Sequence, residues 1–345
     1  MFEERLKRLL QKTYYICRRA IENLSFKWRE HTNRRTILIL IIFGSFAVFL
    51  FQYIIRPPDN FPLNELVTIE EGSTLEAASA YLESAKVVRS TDAFRIIVTL
   101  MGKEKEVHAG DYLFKEPQTI FAVSRAISIG AYGLEPTRIR VPEGATTKEM
   151  AALFDIPLLR FDAEEFQEAA KLEEGFLFPD TYFFLPNATD ELVIRTMRQN
   201  FDTQIATISD KIDLFGKPLR DVVIMASLLE REARNTRDRR MIAGVLWNRL
   251  EKGMLLQVDA AFLYTLGKGT YELSTADLES DSPYNTYRYK GLPAGPIGSP
   301  SMDSLIAAVT PIDHDYLYYL ADKKGVTYYS KSYAEHLRKK NLYIN

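Results

Sequence analysis

Two acidic residues follow an apolar run, and a carboxylate in that setting could act as a general acid. The run Val222–Leu229 carries no charge, which predicts a buried helix ending near Glu230 and Glu232. Burial raises the pKa of a carboxyl group, and a carboxyl that keeps its proton near neutral pH can protonate a leaving group. The two acids lie about 200° apart around a helix, so their spacing does not decide which one faces a cleft. In the alternative interpretation the helix emerges into solvent at Glu230, and the acids pair with Arg231 and Arg234.

Three further segments combine aromatic rings with hydroxyl, amide and carboxylate groups, which suits a polyhydroxylated ligand such as a sugar. They lie at 173–182, at 253–259 and in a Gly- and Pro-rich loop at 281–302. Long loops without secondary structure of their own are often functional. For the first segment, an aromatic core strand with a proline turn is an equally good interpretation. The candidate binding residues are Asp180, Tyr182, Gln257, Asp259, Tyr284, Asn285, Thr286 and Tyr287.

Several kinds of site are absent from the sequence. It contains no phosphate-binding G-x-x-x-x-G-K-[ST] or G-x-G-x-x-G motif, no G-x-S-x-G elbow and no H-E-x-x-H motif. The single cysteine, Cys17, allows no intrachain disulfide, and the four histidines are spread too widely to suggest a metal site. A net charge of −2 gives no support to nucleic-acid binding. We therefore expect no metal and no other cofactor, and we interpret Glu335–His336 as structural.

A mixed α+β domain at 137–345 has to position these candidate residues. Short β-branched and aromatic runs predict two strands joined by a hairpin-like turn at Lys323–Gly325. The spacing of apolar residues predicts five helices. The predicted strands are 316–321 and 326–330, and the predicted helices are 162–172, 190–208, 219–234, 238–252 and Tyr333–Lys340.

A smaller α+β module is predicted at 62–136. Residues 67–74 and 140–146 share one pattern, in which a β-branched run and an acid–Gly turn are followed by Ser or Thr and a helical stretch. Gly110–Phe114 is typical of a turn that enters a strand. Strand–turn–helix units of this size are common, so the internal repeat is a weak signal by itself.

The charge of the chain is distributed unevenly about an apolar segment. Residues 1–35 contain ten Lys or Arg and four acids, a net charge of +6, so the remainder carries −8. Next comes Ile37–Ile55, which is uncharged and as a helix would span roughly 28 Å, close to the hydrocarbon core of a bilayer. Because basic residues stay on the cytoplasmic side, we expect a cytoplasmic N-terminus and an outer portion from about residue 56.

Two alternatives for this apolar segment fit less well. A buried helix of a soluble protein rarely runs this long without a polar face. A cleavable signal peptide has a shorter leader and a small-residue exit, whereas the exit here reads Tyr53–Pro58. We therefore predict a basic cytoplasmic tail at 1–35, a single-pass helix at 36–55 in the plasma membrane, and a linker with the small module at 56–136.

Seven short motifs occur in one order along residues 62–340. They are EGFLFPDTY at 174–182, ASLLERE at 226–232, GVLWNRLEKGMLLQVD at 244–259, SPYNTY at 282–287, GLPAGPI at 291–297, YLYYLA at 316–321 and AEH at 334–336. Each is weak alone, but together they resemble the endolytic murein transglycosylase family, the MltG or YceG-like proteins. A membrane helix, a LysM-like module and a catalytic domain are also the layout of that family.

The resemblance implies that the chain cleaves peptidoglycan strands between N-acetylmuramic acid and N-acetylglucosamine without water, leaving a 1,6-anhydro ring. Such chemistry uses one carboxyl group, unlike the two carboxylates of ordinary glycoside hydrolases. The catalytic Glu of the family is the first acid of the ASxxE run, here Glu230, which leaves Glu232 as a supporting or salt-bridged residue. The resemblance further implies that the enzyme terminates elongation of nascent glycan and associates with penicillin-binding synthases.

Two alternatives for the function stay open. One is a non-catalytic scaffold that binds peptidoglycan and docks wall-synthesis proteins. The other is a water-using glycosidase, in which Asp180 or Asp259 would be the second carboxylate. The sequence also departs from the usual family pattern without losing an acid or amide, which bears on fine specificity. The departures are Val258, Ala260, Ala261, Ala294 and Ser299–Ser301.

Overall fold

The chain forms two compact units, Met1–Gly133 and Leu134–Asn345. In this computed structural model the structure describes residues 18–19, 34–268, 272–322 and 324–344. Both units mix helices with two-stranded antiparallel sheets, so the predicted α+β class is confirmed. Most of the basic tail, including Cys17, and Lys323 of the predicted hairpin turn lie outside the described residues.

The first unit begins with the apolar helix α1, Arg34–Leu50, which continues as a π-helical segment at Phe51–Ile55. Within the described residues, Thr36–Ile55 is the helix long and apolar enough to cross a membrane, and none of it is buried in the protein. The helix ends at Arg56, whose backbone is extended. The predicted helix at 36–55 is therefore present.

The small module of the first unit has a β–α–α–β–α order. Thr74 accepts a hydrogen bond from Ala77 N–H and so begins the first helix of the module, as expected of an N-cap residue. The two strands pair antiparallel around a core that contains the fully buried side chains of Phe94 and Tyr112. The elements are β1 at Leu66–Ile69, α2 at Leu75–Ser84, α3 at Thr91–Leu100, β2 at Gly110–Leu113 and α4 at Ile120–Ile129.

The second unit contains two two-stranded antiparallel sheets and ten helices among its described residues. Its strands are β3 at Thr137–Arg140, β4 at Thr181–Phe184, β5 at Tyr318–Ala321 and β6 at Thr327–Ser330, pairing β3 with β4 and β5 with β6. Its helices are α5 at Thr147–Asp155, α6 at Ala163–Ala169, α7 at Asp190–Ala206, α8 at Ser209–Phe215, α9 at Leu219–Glu232, α10 at Thr236–Glu251, α11 at Ala260–Leu266, α12 at Thr275–Leu278, α13 at Met302–Val309 and α14 at Tyr333–Tyr343. A 3₁₀ turn at Ala170–Glu173 extends α6.

The five predicted helices of this unit and both predicted strands are confirmed, with ends that shift by a few residues. The helix predicted at 238–252 begins at Thr236, because Asn235 caps it by accepting a hydrogen bond from Asp238 N–H. Four short helices, α8, α11, α12 and α13, were not predicted. The helix α13 starts at the edge of the Gly- and Pro-rich loop, where Ser301 is its N-cap.

Helix α9 lies at the centre of the second unit. Every residue from Val222 to Leu229 is buried, and the helix contacts α10, α11 and α13. The 312–314 segment packs closely against α10 at Gly244. A Cβ added to Gly244 would lie 2.6 Å from the Ile312 carbonyl oxygen. The two acids at the end of α9 are therefore held by a helix that is packed on several sides.

Candidate active site

Glu230 lies in the last turn of α9, with a side chain that is only 6% exposed. Its Oε1 accepts a hydrogen bond from Arg239 Nη2 at 2.8 Å. Its Oε2 accepts one from the Ser301 backbone N–H at 2.8 Å and one from Ser301 Oγ at 2.5 Å. The alternative interpretation required Glu230 to emerge into solvent and to pair with Arg231 or Arg234. The structure shows neither.

The partners of Glu230 belong to the beginnings of two other helices. Arg239 in α10 also donates from Nη1 to Asp303 at 2.5 Å, so one guanidinium binds both carboxylates. Ser301 accepts a hydrogen bond from Ser304 N–H and thereby caps α13, while its own hydroxyl donates to Glu230. The carboxylate therefore lies at the N-terminal end of α13, where the helix dipole favours negative charge.

Glu230 opens onto a cavity of about 220 Å³. One wall is a loop after β3, tied to the Gly-rich segment by hydrogen bonds from Gly144 N–H to the Ser299 carbonyl at 2.7 Å and from Ser299 N–H to the Ala145 carbonyl at 2.8 Å. Arg231 Nη2 closes the same wall by donating to the Gly144 carbonyl at 2.9 Å. The cavity is lined by Pro142, Glu143, Gly144, Ala145, Glu149, Glu230 and Arg231.

Glu232 faces the other side of α9, in agreement with the angle that separates the two acids. It accepts a hydrogen bond from Tyr319 Oη at 2.9 Å. Among the described residues it makes no ion pair, so Glu232 is not the salt-bridged residue that was one of the two expectations for it. Burial, reinforced by the nearby charge of Asp259, raises the pKa of Glu232 to about 7. The raised pKa expected of a carboxyl at this helix end is thus found at Glu232.

Two of the predicted binding residues, Asp259 and Tyr287, lie near Glu232 rather than near Glu230. Asp259 accepts a hydrogen bond from Tyr287 Oη, and Gln257 donates its backbone N–H to the Thr286 carbonyl at 3.0 Å. Burial raises the pKa of Tyr287 well above its usual range. Asp259 and Tyr287 therefore form a polar pair next to the end of α9.

Asn285 and Thr286 hold the long loop in shape. Both are 2% exposed. Asn285 Nδ2 donates to the carbonyls of Leu278 and Ser280 at 2.9 and 2.8 Å, and Thr286 Oγ1 accepts from Val258 N–H at 2.9 Å. Their polar groups are consequently used within the protein.

Tyr284 belongs to a buried polar cluster that sequence reasoning overlooked. Its ring lies 5.1 Å from that of Tyr264, whose hydroxyl donates to Glu174 at 3.4 Å. Glu174 is 7% exposed and also accepts from Thr147 N–H and Thr147 Oγ1, and burial raises its pKa. Glu174 stands first in the EGFLFPDTY motif, so its position was visible in the sequence although its role was not.

Asp180 and Tyr182 are placed by contacts with α7. Asn200 Nδ2 donates to Asp180 Oδ2 and to Tyr182 Oη, both at 3.1 Å. The Tyr182 hydroxyl donates to the Phe178 carbonyl at 2.7 Å, and burial raises the pKa of Tyr182 to about 12. None of the eight predicted binding residues lines the 220 Å³ cavity at Glu230.

Several contributors to the Glu230 site were therefore missed from the sequence. In the sequence, the loop with Glu143 and Gly144 stood out only as the second copy of a weak repeat. The acid–Gly turn of that repeat is the sequence feature that could have placed this loop in the site. Arg239 and Asp303 carried no signal, because Arg239 reaches Glu230 from one helix and Asp303 reaches Arg239 from another. In the described residues no group of His, Cys, Asp and Glu could hold a metal ion.

Comparisons of the sequence with known proteins all match members of one family. The sequence profile of the YceG-like family matches residues 67–342. A Bacillus subtilis protein named endolytic murein transglycosylase is 33% identical over 306 residues, covering 81% of this chain and 84% of that protein. A Streptococcus pneumoniae serotype 2 protein of the same name is 36% identical over 178 residues, which are 50% of this chain and 32% of that protein.

A solved structure agrees with these sequence matches. The crystal structure of a YceG-like protein from Listeria monocytogenes is 32% identical in sequence and superimposes with a TM-score of 0.51. The match covers 80% of this chain and 98% of the Listeria chain.

Proposed function

The chain belongs to the YceG-like family, and we propose that it is a peptidoglycan lytic transglycosylase in which Glu230 is the catalytic acid. The main support for this proposal is the site around Glu230. Its carboxylate is nearly buried, is bound by Arg239 and Ser301, and lies at the wall of a cavity. Relatives named endolytic murein transglycosylase support the choice of glycan strands as substrate.

The proposed reaction uses one carboxyl group twice. Protonated Glu230 gives its proton to the oxygen that links N-acetylmuramic acid to N-acetylglucosamine, and the bond from that oxygen to the muramic C1 breaks. The Glu230 carboxylate then removes the proton of the muramic C6 hydroxyl, whose oxygen attacks C1. The products are a new N-acetylglucosamine end and a 1,6-anhydro-muramic end, and Glu230 is protonated again.

Arg239 and Ser301 stabilise the intermediate state of Glu230 in this scheme. Once the proton has left, the carboxylate receives hydrogen bonds from the Arg239 guanidinium, the Ser301 N–H and the Ser301 hydroxyl. These donors are in place before the reaction, so little reorganisation is needed as the charge develops. When Glu230 carries its proton, Asp303 remains as an ionic partner for Arg239.

The polar pair of Asp259 and Tyr287 is proposed to orient the substrate, while Asn285 and Thr286 are proposed to hold the loop that carries Tyr287. Asp259 and Tyr287 are half-buried and lie beside the last turn of α9, close to Glu232. The cavity at Glu230 and this group flank the end of the same helix. A glycan strand passing that helix end would meet both.

The first unit is proposed to tether the enzyme near its substrate. We infer that the helix at 36–55 anchors the chain in the plasma membrane with the N-terminus in the cytoplasm, and that the module is LysM-like and binds glycan. This placement supports action on nascent strands, termination of their elongation and association with penicillin-binding synthases.

Product analysis distinguishes this function from its alternatives. Full-length protein in detergent micelles is incubated with purified peptidoglycan, and the new ends are identified by mass spectrometry. A lytic transglycosylase gives 1,6-anhydro ends. Reducing ends would instead indicate a water-using glycosidase, and intact strands that co-sediment with the protein would indicate a binding scaffold.

A further inference from the structure

The chain leaves the apolar helix through a segment that is fixed to the module. Arg56 N–H donates to the Phe51 carbonyl at 2.9 Å, and Arg89 donates to the carbonyls of Arg56 and Pro57 at 3.1 and 2.9 Å. Asp59 pairs with Arg56 at 2.9 Å and with Arg89 at 3.3 Å. One arginine of the module therefore binds the chain at the point where the helix ends.

The next residues of this segment enter the core of the module. Phe61 is 8% exposed and packs edge-to-face on Phe114, with ring centroids 5.3 Å apart. Asn64 N–H donates to the Phe114 carbonyl at 2.9 Å. Helix α4 contacts the Phe51–Ile55 end of the apolar helix directly. The predicted linker is thus packed structure, and it keeps α4 beside the end of the proposed membrane span.

Helix α4 carries an exposed stripe of a kind found at lipid–water interfaces. Phe121 is 50% exposed and Ile129 is 57% exposed, with Arg125 between them at i+4 spacing on one face. Arg125 is exposed, and among the described residues it makes no hydrogen bond or ion pair. Tyr53, 61% exposed near the end of the apolar helix, is the type of aromatic residue enriched at membrane interfaces.

We propose that Phe121, Arg125 and Ile129 form a lipid-contacting face of α4 that lies in the interfacial region of the bilayer. The proposal rests on the proposed membrane anchoring. Large apolar side chains favour the boundary of the acyl chains, and a free guanidinium favours the phosphate groups just above it. The face holds the module flat against the membrane, so that the module cannot swing outward on a flexible linker.

Spin-label accessibility in lipid nanodiscs tests the proposal on the full-length chain. In a Cys17→Ser background, labels are placed singly at Phe121→Cys and Ile129→Cys, with Val48→Cys as a control inside the span and Glu76→Cys as an exposed control on α2. We expect the labels at 121 and 129 to collide with oxygen more than with a water-soluble nickel chelate, as the label at 48 does, and the label at 76 to show the opposite.

The controls separate the possible failures. Water-like labels at 121 and 129 with a lipid-like label at 48 would overturn the lipid-contacting face and leave the membrane anchoring intact. A water-like label at 48 would overturn both. Labels at 121 and 129 that are protected from both reagents would overturn the proposal in favour of a protein partner. Folding of each variant is verified by its circular dichroism spectrum and its thermal unfolding temperature.

Discussion

Arg239 binds two carboxylates at once, Glu230 through one nitrogen and Asp303 through another, and lysine cannot reproduce this fork. We expect Arg239→Lys to lower kcat about 100-fold with little change in KM, because a donor to the charged form of Glu230 is lost. The measurement is the rate of release of anhydro-muropeptides at several substrate concentrations.

The neighbouring arginine supplies a matched control for that change. Arg240 Nε donates to the Thr310 carbonyl at 2.6 Å and has no contact with Glu230. Arg240→Lys is expected to keep kcat within about threefold of the wild type. Equal losses in the two variants would mean that Arg239 acts through general packing of α10 rather than through Glu230.

Glu232 gives a pH dependence whose sign follows from its surroundings. Its pKa rises from 4.5 to about 7 on folding, so between these pH values the folded unit holds a proton that the unfolded chain has lost. Stability is therefore lost as the pH rises from about 4.5 to about 7. In Glu232→Gln this loss should disappear, because the amide does not titrate.

Thermal unfolding of the wild type and Glu232→Gln across that pH range measures the effect. We expect the difference in Tm between the two proteins to change by several degrees in favour of the variant as the pH rises. Glu174, whose pKa is also raised by burial, is present in both proteins and cancels in the difference. Parallel Tm curves would contradict the assignment of a raised pKa to Glu232.

At the scale of elements, the loop after β3 depends on Gly298. This residue has φ of +148°, and a Cβ would lie 2.4 Å from the Gly144 carbonyl oxygen in the wall of the Glu230 cavity. Gly298→Ala should displace that loop, lower stability by about 1–3 kcal/mol and reduce product formation.

Gly291, in the same Gly- and Pro-rich loop as Gly298, is the control for backbone strain. Its φ is +96°, but no atom lies within 4 Å of the position of an added Cβ. Gly291→Ala should therefore lose some stability and keep its product pattern and most of its rate. If both variants retain the wild-type rate, the 142–145 loop is not a functional wall of the cavity.

The elements differ in how much of them the sequence predicts. Helices α7, α9 and α10 were predicted because their apolar residues fit helical spacing over about four turns each. Helix α13 was missed because it follows a Gly- and Pro-rich segment, and only the cap at Ser301 marks its start. That omission hid half of the site, since Ser301 of this helix binds Glu230 directly and Asp303 pairs with Arg239.

The residue roles were harder to predict than the helices. Periodicity placed Glu230 and Glu232 on different faces of α9, which is what the structure has, but it could not supply the partners of either acid. Arg239 and Tyr319 come from elements distant in the sequence, and their approach depends on tertiary packing. The choice of Glu230 came from the family resemblance, and the structure adds the cavity and the donors around it.

At the scale of the whole molecule, the division of charge and the order of motifs carried most of the prediction. A basic tail before a single apolar segment predicted the helix at Thr36–Ile55, and the motifs predicted the family that the comparisons establish. The sequence could not predict that the segment after the helix is packed into the module, because the Arg89 and Phe61 contacts join residues that are far apart in the chain.

In the proposed reaction, the proton that breaks the glycan strand comes from Glu230. Glu230→Gln keeps the shape of the side chain but cannot deliver a proton. Glu143→Gln removes another carboxylate that lines the same cavity and is the matched control.

The decisive measurement is the yield of 1,6-anhydro ends from peptidoglycan treated with each full-length protein. We expect Glu230→Gln to lower the rate about a thousandfold and Glu143→Gln to stay within about fivefold of the wild type. Undiminished anhydro ends from Glu230→Gln would contradict the assignment of Glu230 as the catalytic acid.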